Sequence, residues 1–265
     1  MTDLLTTLPP VDEVRNQNDL TGRIALITGG GSGLGRAMAW GLACHGASIA
    51  IVDRDIAAAE ACAKEIAAGC GARTLAVRAE VNIEEDVEKA ARMVQANLGP
   101  VDILVNNAGH NIRKPLIDFA LSEFDSLHEV HVRGTFLFCR AVGRSMRERQ
   151  RGVVINIASI LGHVAAQNVA PYAAAKAAIV QLTRVLALEF APYGIRVNAI
   201  APGYVDTPLT RQHAPEVRDR IMQTTPLGRF GLARELIGPI VFLASDSSSF
   251  VTGSSLIVDG GWTAQ

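Results

Sequence analysis

In the stretch PYAAAKAAIVQLT, Tyr172 stands four residues before Lys176, so on a helix the two side chains share one face. A phenol ionises near pH 10 and needs help to exchange a proton near neutrality. An ammonium one turn away supplies that help by favouring the phenolate. Ser159, just past the apolar run VVINIAS, offers a hydroxyl that can orient a carbonyl or alcohol oxygen. A Tyr-x-x-x-Lys pair also arises by chance in many helices, as amphipathic stems with wet tips, so its meaning depends on its surroundings.

Those surroundings include TGGGSGLG, Thr28 to Gly35, which follows one apolar run and opens a helical pattern. Gly29, Gly33 and Gly35 let the backbone turn tightly, approach a diphosphate and pack the helix against a strand. The helix N-terminus adds free N–H groups for the anion. The second apolar run ends at Asp53, where a carboxylate accepts hydrogen bonds from adenosine ribose hydroxyls and repels a 2′-phosphate. That predicts NAD rather than NADP. Arg54 argues the other way, because an arginine there can meet a phosphate, and Asp53 also admits the plain reading of a solvated strand end. Taken together, these residues make Tyr172 the proton donor and acceptor, Lys176 its electrostatic partner and Ser159 the group that holds the substrate oxygen.

The elements that must position them recur in a rhythm. IALITGG, ASIAIVDR, TLAVRAEV, VDILVNNAG, GVVINIAS, IRVNAIAPG and SLIVDGG are short apolar runs separated by helix-like segments. Apolar runs without alternation suit strands covered on both faces, and the alternation predicts an α/β fold: one doubly wound, Rossmann-like parallel sheet with helices on both faces. Residues 1–20 read as an N-terminal tail or an arm on a partner subunit, residues 21–265 as a single NAD-binding catalytic domain, and residues 206–233 as a lid. Of the 265 residues 49% are apolar and the formal net charge is -1, which gives no nucleic-acid or anionic-membrane footprint. The basic stretch RSMRERQRG reads as a helix-end cap. No apolar run reaches membrane-spanning length and the start lacks a secretory pattern, so a soluble cytoplasmic protein is expected. Cys44, Cys62, Cys70 and Cys139 read as isolated reduced thiols, and His45, His110, His128 and His213 show no metal-ligand spacing.

With these pieces in order, the chain resembles the short-chain dehydrogenase/reductase family over residues 20–262. The resemblance is carried by TGGGSGLG, NNAG at 106–109, Ser159, YAAAK at 172–176 and the PG of IAPGYVDT at 202–203. It implies a cofactor wall of Gly29, Ser32, Gly33, Leu34 and Gly35, with Glu80 and Val81 on the adenine side and Asn106 near the adenosine. It further implies that Asn107, Ala108 and Gly109 lie beside NAD, that Pro202, Gly203 and Val205 face the nicotinamide, and that Thr207 meets its carboxamide. Tyr172 and Lys176 also touch the cofactor in this comparison.

The clearest departure from the family is in HEVHVRGTF, where His131 stands at the position usually held by an asparagine that kinks a helix and holds a water of the proton relay. Either the imidazole joins the relay, or the backbone carbonyl holds the water while the ring is structural. Within the family the chain looks closest to gluconate 5-dehydrogenases and 2-deoxygluconate 3-dehydrogenases, through NNAGHNIRKPL, PLGRFG and VDGGW. The expected activity is interconversion of a secondary alcohol and a ketone on a sugar acid or polyol, a small hydroxy or keto substrate. Arg113 would meet a carboxylate, or is a solvated loop charge, and His163 and Gln167 would contact hydroxyls. The alternatives are reduction of another carbonyl, such as a hydroxysteroid or an acetoacetyl thioester, and a non-catalytic NAD-binding protein. Family members are commonly homodimers or homotetramers, so Val180, Leu182 and Leu186 stand as interface or core.

Overall fold

The run IALIT forms β1 (Ile24–Thr28), and all five side chains are buried because both faces of the strand are covered. Successive residues point to opposite faces. Ala25 and Ile27 enter one apolar cluster with Ile49, Ile51, Ile103 and Ile155, while Leu26 enters another with Ala50, Val52, Leu104 and Val154. The computed structural model describes residues 9–208, 210–212 and 214–265. The first eight residues of the expected tail, and Leu209 and His213 of the expected lid, lie outside the described residues.

After α1 (Val11–Arg15) and β1 come α2 (Gly33–Cys44), β2 (Ser48–Asp53), α3 (Ile56–Cys70), β3 (Thr74–Arg78), α4 (Glu84–Asn97) and β4 (Ile103–Asn106). Then follow α5 (Leu121–His128), α6 (Gly134–Glu148), β5 (Gly152–Ile157), α7 (Ala170–Phe190), β6 (Ile195–Pro202), β7 (Val205–Asp206), α8 (Pro215–Thr224), β8 (Gly231–Leu232), α9 (Ile237–Ala244) and β9 (Ser255–Val258). The main sheet has the order β3-β2-β1-β4-β5-β6-β9, every neighbouring pair parallel. All seven runs marked in the sequence are its strands. Met38 and Leu42 of α2, Ile66 of α3 and Ile240 of α9 cover one face; Val87 of α4, Phe138 of α6 and Ala187 of α7 cover the other. The fold is the doubly wound parallel sheet that the alternation predicts. Its strand order reverses between β1 and β4, the place where such sheets open a crevice at the carboxyl ends of the strands.

Local chemistry explains the helices. In α3 the buried residues Ala59, Cys62, Ala63 and Ile66 recur at helical spacing, and the Asp55 side chain caps the start by accepting from the Ala58 N–H at 3.1 Å. α1 buries none of its residues, but the chain is tied to the body from Asn18, whose Oδ1 accepts from Ser245 and Ser247. The 206–233 stretch contains α8 and a two-stranded parallel ribbon of β7 and β8, with Asp206 paired to Arg211 and Arg218.

A buried polar chain crosses from the sheet to α7. Asn106 Nδ2 donates to Asn156 Oδ1 at 2.9 Å, Asn156 Nδ2 donates to Thr183 Oγ1 at 2.9 Å, and the Thr183 hydroxyl donates to the Ile179 carbonyl. Thr183 lies two and three turns beyond Lys176 and Tyr172 on the same face, so this chain sets the rotation of α7 over β5. Asn106 is therefore inside the sheet, not beside the adenosine as the family comparison implies.

At the amino ends of the strands, Asp102 accepts from the Ile24 N–H at 3.0 Å, from Arg149 at 2.8 Å and from Arg151 at 2.9 Å. Burial alone would raise its pKa, but these donors outweigh it and hold the carboxyl below the usual aspartate range. A carboxyl with a depressed folded-state pKa adds stability above its unfolded value, about 4, and loses it as pH falls through the folded value. Asp102→Asn is therefore expected to cost roughly 2 kcal/mol at pH 7. The gap in urea midpoint between the two proteins should close as pH is lowered through the acid range; a gap that stays constant with pH would show that the charge contributes nothing.

Candidate active site

The glycine turn is bolted to the NNAG turn. The Thr28 hydroxyl accepts from the N–H groups of Asn107 and Ala108 at 3.0 and 3.1 Å, and Asn107 Nδ2 donates to the carbonyls of Thr28 and Gly29, both at 3.0 Å. Gly29 has φ +61°, and a Cβ there would lie 2.8 Å from the Ala108 Cα. Glycine is required on both counts. A Cβ on Gly35 would lie 2.2 Å from the Gly29 carbonyl oxygen, so Gly35 lets the first turn of α2 sit directly on the loop. Gly35 lies beneath the cavity rather than lining it, a correction to its expected place on the cofactor wall.

Above these turns a cavity of about 730 Å³ runs across the carboxyl ends of β1, β4, β5 and β6. Gly29, Ser32, Gly33, Leu34, Asp53, Arg54, Glu80 and Val81 line one half; Asn107, Ala108, Gly109, Arg113, Ser159, Tyr172, Lys176, Pro202, Gly203, Val205 and Thr207 complete it. Ser32 precedes α2 without a side-chain cap, which leaves the first N–H groups of the helix for an anion. At the end of β2, Asp53 Oδ2 accepts from the Gly31 N–H at 3.0 Å and Oδ1 from the Asp55 N–H at 3.1 Å; each oxygen retains a lone pair for a hydroxyl. An uncapped helix start between a carboxylate and the Tyr172–Lys176 end fits a nicotinamide dinucleotide in length and donor type.

Lys176 is buried and its Nζ donates to the Ile157 carbonyl at 2.7 Å, leaving two N–H donors for the cavity. Burial lowers its pKa to about 7. For Tyr172, burial raises the phenol to about 12 and the neighbouring Tyr204 adds to the rise, while hydrogen bonding with Ser159 opposes it. The depressed phenol expected from the Tyr-x-x-x-Lys spacing is thus absent: the ammonium sits 5.6 Å from the ring centroid, engaged by the Ile157 carbonyl, and desolvation wins. The resting tyrosine is a protonated acid. Ser159 Oγ also accepts from the Leu161 N–H at 3.1 Å, which fixes its direction.

His131 lies in a π-helical turn, Glu129–Arg133, that joins α5 to α6. Such turns carry one extra residue per turn and often mark functional sites. Its Nε2 is 2.8 Å from the His110 carbonyl, an acceptor only, so Nε2 carries the hydrogen. Burial, followed by the Lys176 charge, holds the ring well below pH 6.5, so it is neutral. The ring packs edge-on against Tyr172 with centroids 5.4 Å apart, and its Cε1 fills the space that a Cβ on Gly109 would need. Nδ1 is buried with no partner among the described residues.

Two substrate residues expected from the sequence are not brought to the site. His163 is exposed and its Nε2 lies 2.9 Å from Ser255 Oγ, and Gln167 is exposed; neither lines the cavity, because the loop after Ser159 turns them outward. Arg113 does line it, and no carboxylate among the described residues pairs with it, whereas the adjacent Lys114 is bound to Glu123 at 2.7 Å. Sequence reasoning missed Tyr204 and His110 as lining residues, although each directly follows a marked turn, Pro202-Gly203 and NNAG. Val180 is core, while Leu182 and Leu186 are half-buried. Among the described residues no helix is long and apolar enough to cross a membrane.

A parallel sheet that reverses order over a dinucleotide-sized cavity, with a serine, a tyrosine and a lysine at one end, defines a nicotinamide-dependent oxidoreductase. Comparison with known proteins agrees. A family model described as enoyl-(acyl carrier protein) reductase matches residues 29–263. The chain is 36% identical to gluconate 5-dehydrogenase of Gluconobacter oxydans over 92% of this chain and 96% of that one. It is 39% identical to 2-dehydro-3-deoxy-D-gluconate 5-dehydrogenase of Dickeya dadantii over 95% and 100%. A crystal structure of a gluconate 5-dehydrogenase from Burkholderia cenocepacia, in complex with NADP and tartrate, superposes with TM-score 0.92 at 39% identity, covering 95% of this chain and 99% of that one. The chain belongs to the short-chain dehydrogenase/reductase family.

Proposed function

We propose that the chain is an NAD-dependent dehydrogenase interconverting a secondary alcohol and a ketone on a sugar acid or polyol. The observation that carries this reading is the meeting of Ser159, Tyr172 and Lys176 in the cavity that also holds Arg113, which no carboxylate among the described residues pairs. Arg113 and Lys176 both line the cavity, and an arginine fork there suits a carboxylate-bearing substrate. The gluconate-type names of the relatives and the tartrate in the solved relative support the same class.

In reduction, Ser159 holds the substrate oxygen and the protonated Tyr172 gives its proton to the developing alkoxide. In oxidation, Tyr172 Oη takes the hydroxyl proton as the phenolate, its own proton having first passed to solvent. Lys176 grips hydroxyls with its two free donors and, once drawn toward the phenol oxygen, favours the phenolate. A nicotinamide bound in this cavity would supply the hydride acceptor in one direction and the hydride donor in the other. His131, neutral and held by Nε2 on the His110 carbonyl, acts as a brace behind the phenol rather than as a proton carrier. A homodimer or homotetramer is the working form in this reading, supported by the exposed Val185 and Leu188 on α7.

Asp53 supports NAD, and the NADP in the solved relative gives Arg54 a specific second reading. A screen of gluconate, deoxygluconate, polyols and hydroxysteroids with both cofactors tests both points. Sugar-acid turnover with kcat/KM favouring NAD by about tenfold or more is the expected outcome, and Asp53→Ser should shift that ratio toward NADP by a similar factor. Equal rates with NADP would overturn the cofactor assignment; turnover of hydroxysteroids alone would overturn the substrate class.

A further inference from the structure

Cys44 and Cys70 end α2 and α3, and the packing of those two helices brings their Sγ atoms to 2.7 Å. The sequence reading of four isolated thiols is therefore corrected for this pair. The approach is built into the helices at two further levels. The Arg36 guanidinium of α2 clasps the Glu65 carboxylate of α3 through Nε and Nη2, at 3.0 and 2.6 Å. The outer edge of the Trp40 indole abuts α3 at Gly69, where a Cβ would fall 2.3 Å from the ring. A larger residue at position 69 would push the helix ends, and the thiols, apart.

We propose that Cys44 and Cys70 are an oxidation site that closes to an intramolecular disulfide by exchange with a low-molecular-weight disulfide. Cys44 is exposed and meets the reagent first: its thiolate attacks RSSR, forming Cys44–S–S–R and releasing one RSH. Cys70 then attacks the Cys44 sulfur, forming the protein disulfide and releasing the second RSH. Two protein S–H groups lose two electrons and two protons in total, and these reduce one RSSR to two RSH. Burial, reinforced by the hydrogen bond with Cys44, pushes Cys70 up to about 12, which lowers its thiolate fraction; the 2.7 Å approach of the two sulfurs offsets this in the second, intramolecular step. Cys62 and Cys139 are buried, with thiols raised to about 11 and about 12, and remain unmodified in the folded protein.

The bond would staple the far ends of the two helices whose near ends carry the glycine turn and follow Asp53. Closing a loop of this length restricts the unfolded chain, so the oxidised protein should melt roughly 5 °C or more above the reduced one.

The test incubates the folded full-length chain with oxidised glutathione, quenches it with acid, and maps non-reduced peptides by mass spectrometry alongside melting curves. The expected result is a linked pair of peptides containing Cys44 and Cys70, two hydrogens lighter than their sum, with a raised Tm. Cys44→Ser and Cys70→Ser should each abolish the link and the rise. Separate glutathione adducts, two unmodified thiols, or a link through Cys62 or Cys139 would each overturn the proposal, and a link without a rise in Tm would overturn the stapling. The wild-type peptide map decides the chemistry even if a variant folds poorly.

Discussion

Tyr172→Phe is expected to lower kcat by about 10²–10⁴-fold while leaving the melting temperature and cofactor affinity close to those of the wild type. The substitution removes only the phenol oxygen. The ring keeps its edge-on packing against His131, and α7 keeps its rotation through Thr183 and Asn156. What is lost is the single acid aimed at the substrate oxygen beside Ser159. Single-turnover kinetics together with cofactor titration would check it. Full-rate alcohol oxidation by a folded, cofactor-binding variant would remove the tyrosine from the chemistry.

Lys176→Met should be the second most damaging change to activity and, unusually, a stabilising one. Methionine occupies similar space but cannot donate to hydroxyls or favour the phenolate. A loss of about 10²–10³-fold in kcat/KM is expected, with a raised KM for the cofactor. The stability effect follows from the lysine pKa. In the folded chain burial lowers it to about 7, against about 10.4 in the unfolded chain. Below pH 7 the folded protein must keep a buried ammonium; above the folded pKa that penalty is progressively relieved as the folded lysine loses its proton. The methionine variant should therefore be more stable at pH 6, by roughly 1–3 kcal/mol, in the absence of cofactor. Its advantage should shrink as pH rises from 7 toward 10. Urea denaturation across that range reads both the sign and the pH dependence; a variant equally or less stable at pH 6 would mean that the ammonium is well accommodated.

The parts of the site that were legible in the sequence are those set by local spacing. Tyr172 and Lys176 are one helical turn apart, the glycines follow a strand directly, and Asp53 ends the next strand, so secondary structure alone brings each group to the carboxyl edge of the sheet. The seven strands were legible for a related reason: burial on both faces demands continuous apolar runs. The misread residues depend on how elements meet. His163 and Gln167 are near Ser159 in sequence, but the direction of a loop is not a property of spacing, and they face away. The chain from Asn106 through Asn156 to Thr183 needs three elements in register before any of its hydrogen bonds exists. Cys44 and Cys70 are 26 residues apart and meet only once α2 and α3 pack, with Arg36 on Glu65 and Trp40 against Gly69. The phenol of Tyr172 was expected to be acidic on the strength of its lysine neighbour, but burial of the ring outweighs that charge, and burial is set by every element packed around it.

The knot around Asp102 ties the amino rim of the sheet, whereas the reacting hydroxyls occupy the opposite rim. Remodelling the walls near Arg113 or the 206–233 stretch therefore leaves the ionic fastening untouched. A library randomised at those walls should yield many folded members with altered appetites for alcohols, whereas the same number of changes around Asp102, Arg149 and Arg151 should yield mostly insoluble protein. Separating the two rims lets substrate choice drift while the scaffold's reserve of stability stays intact.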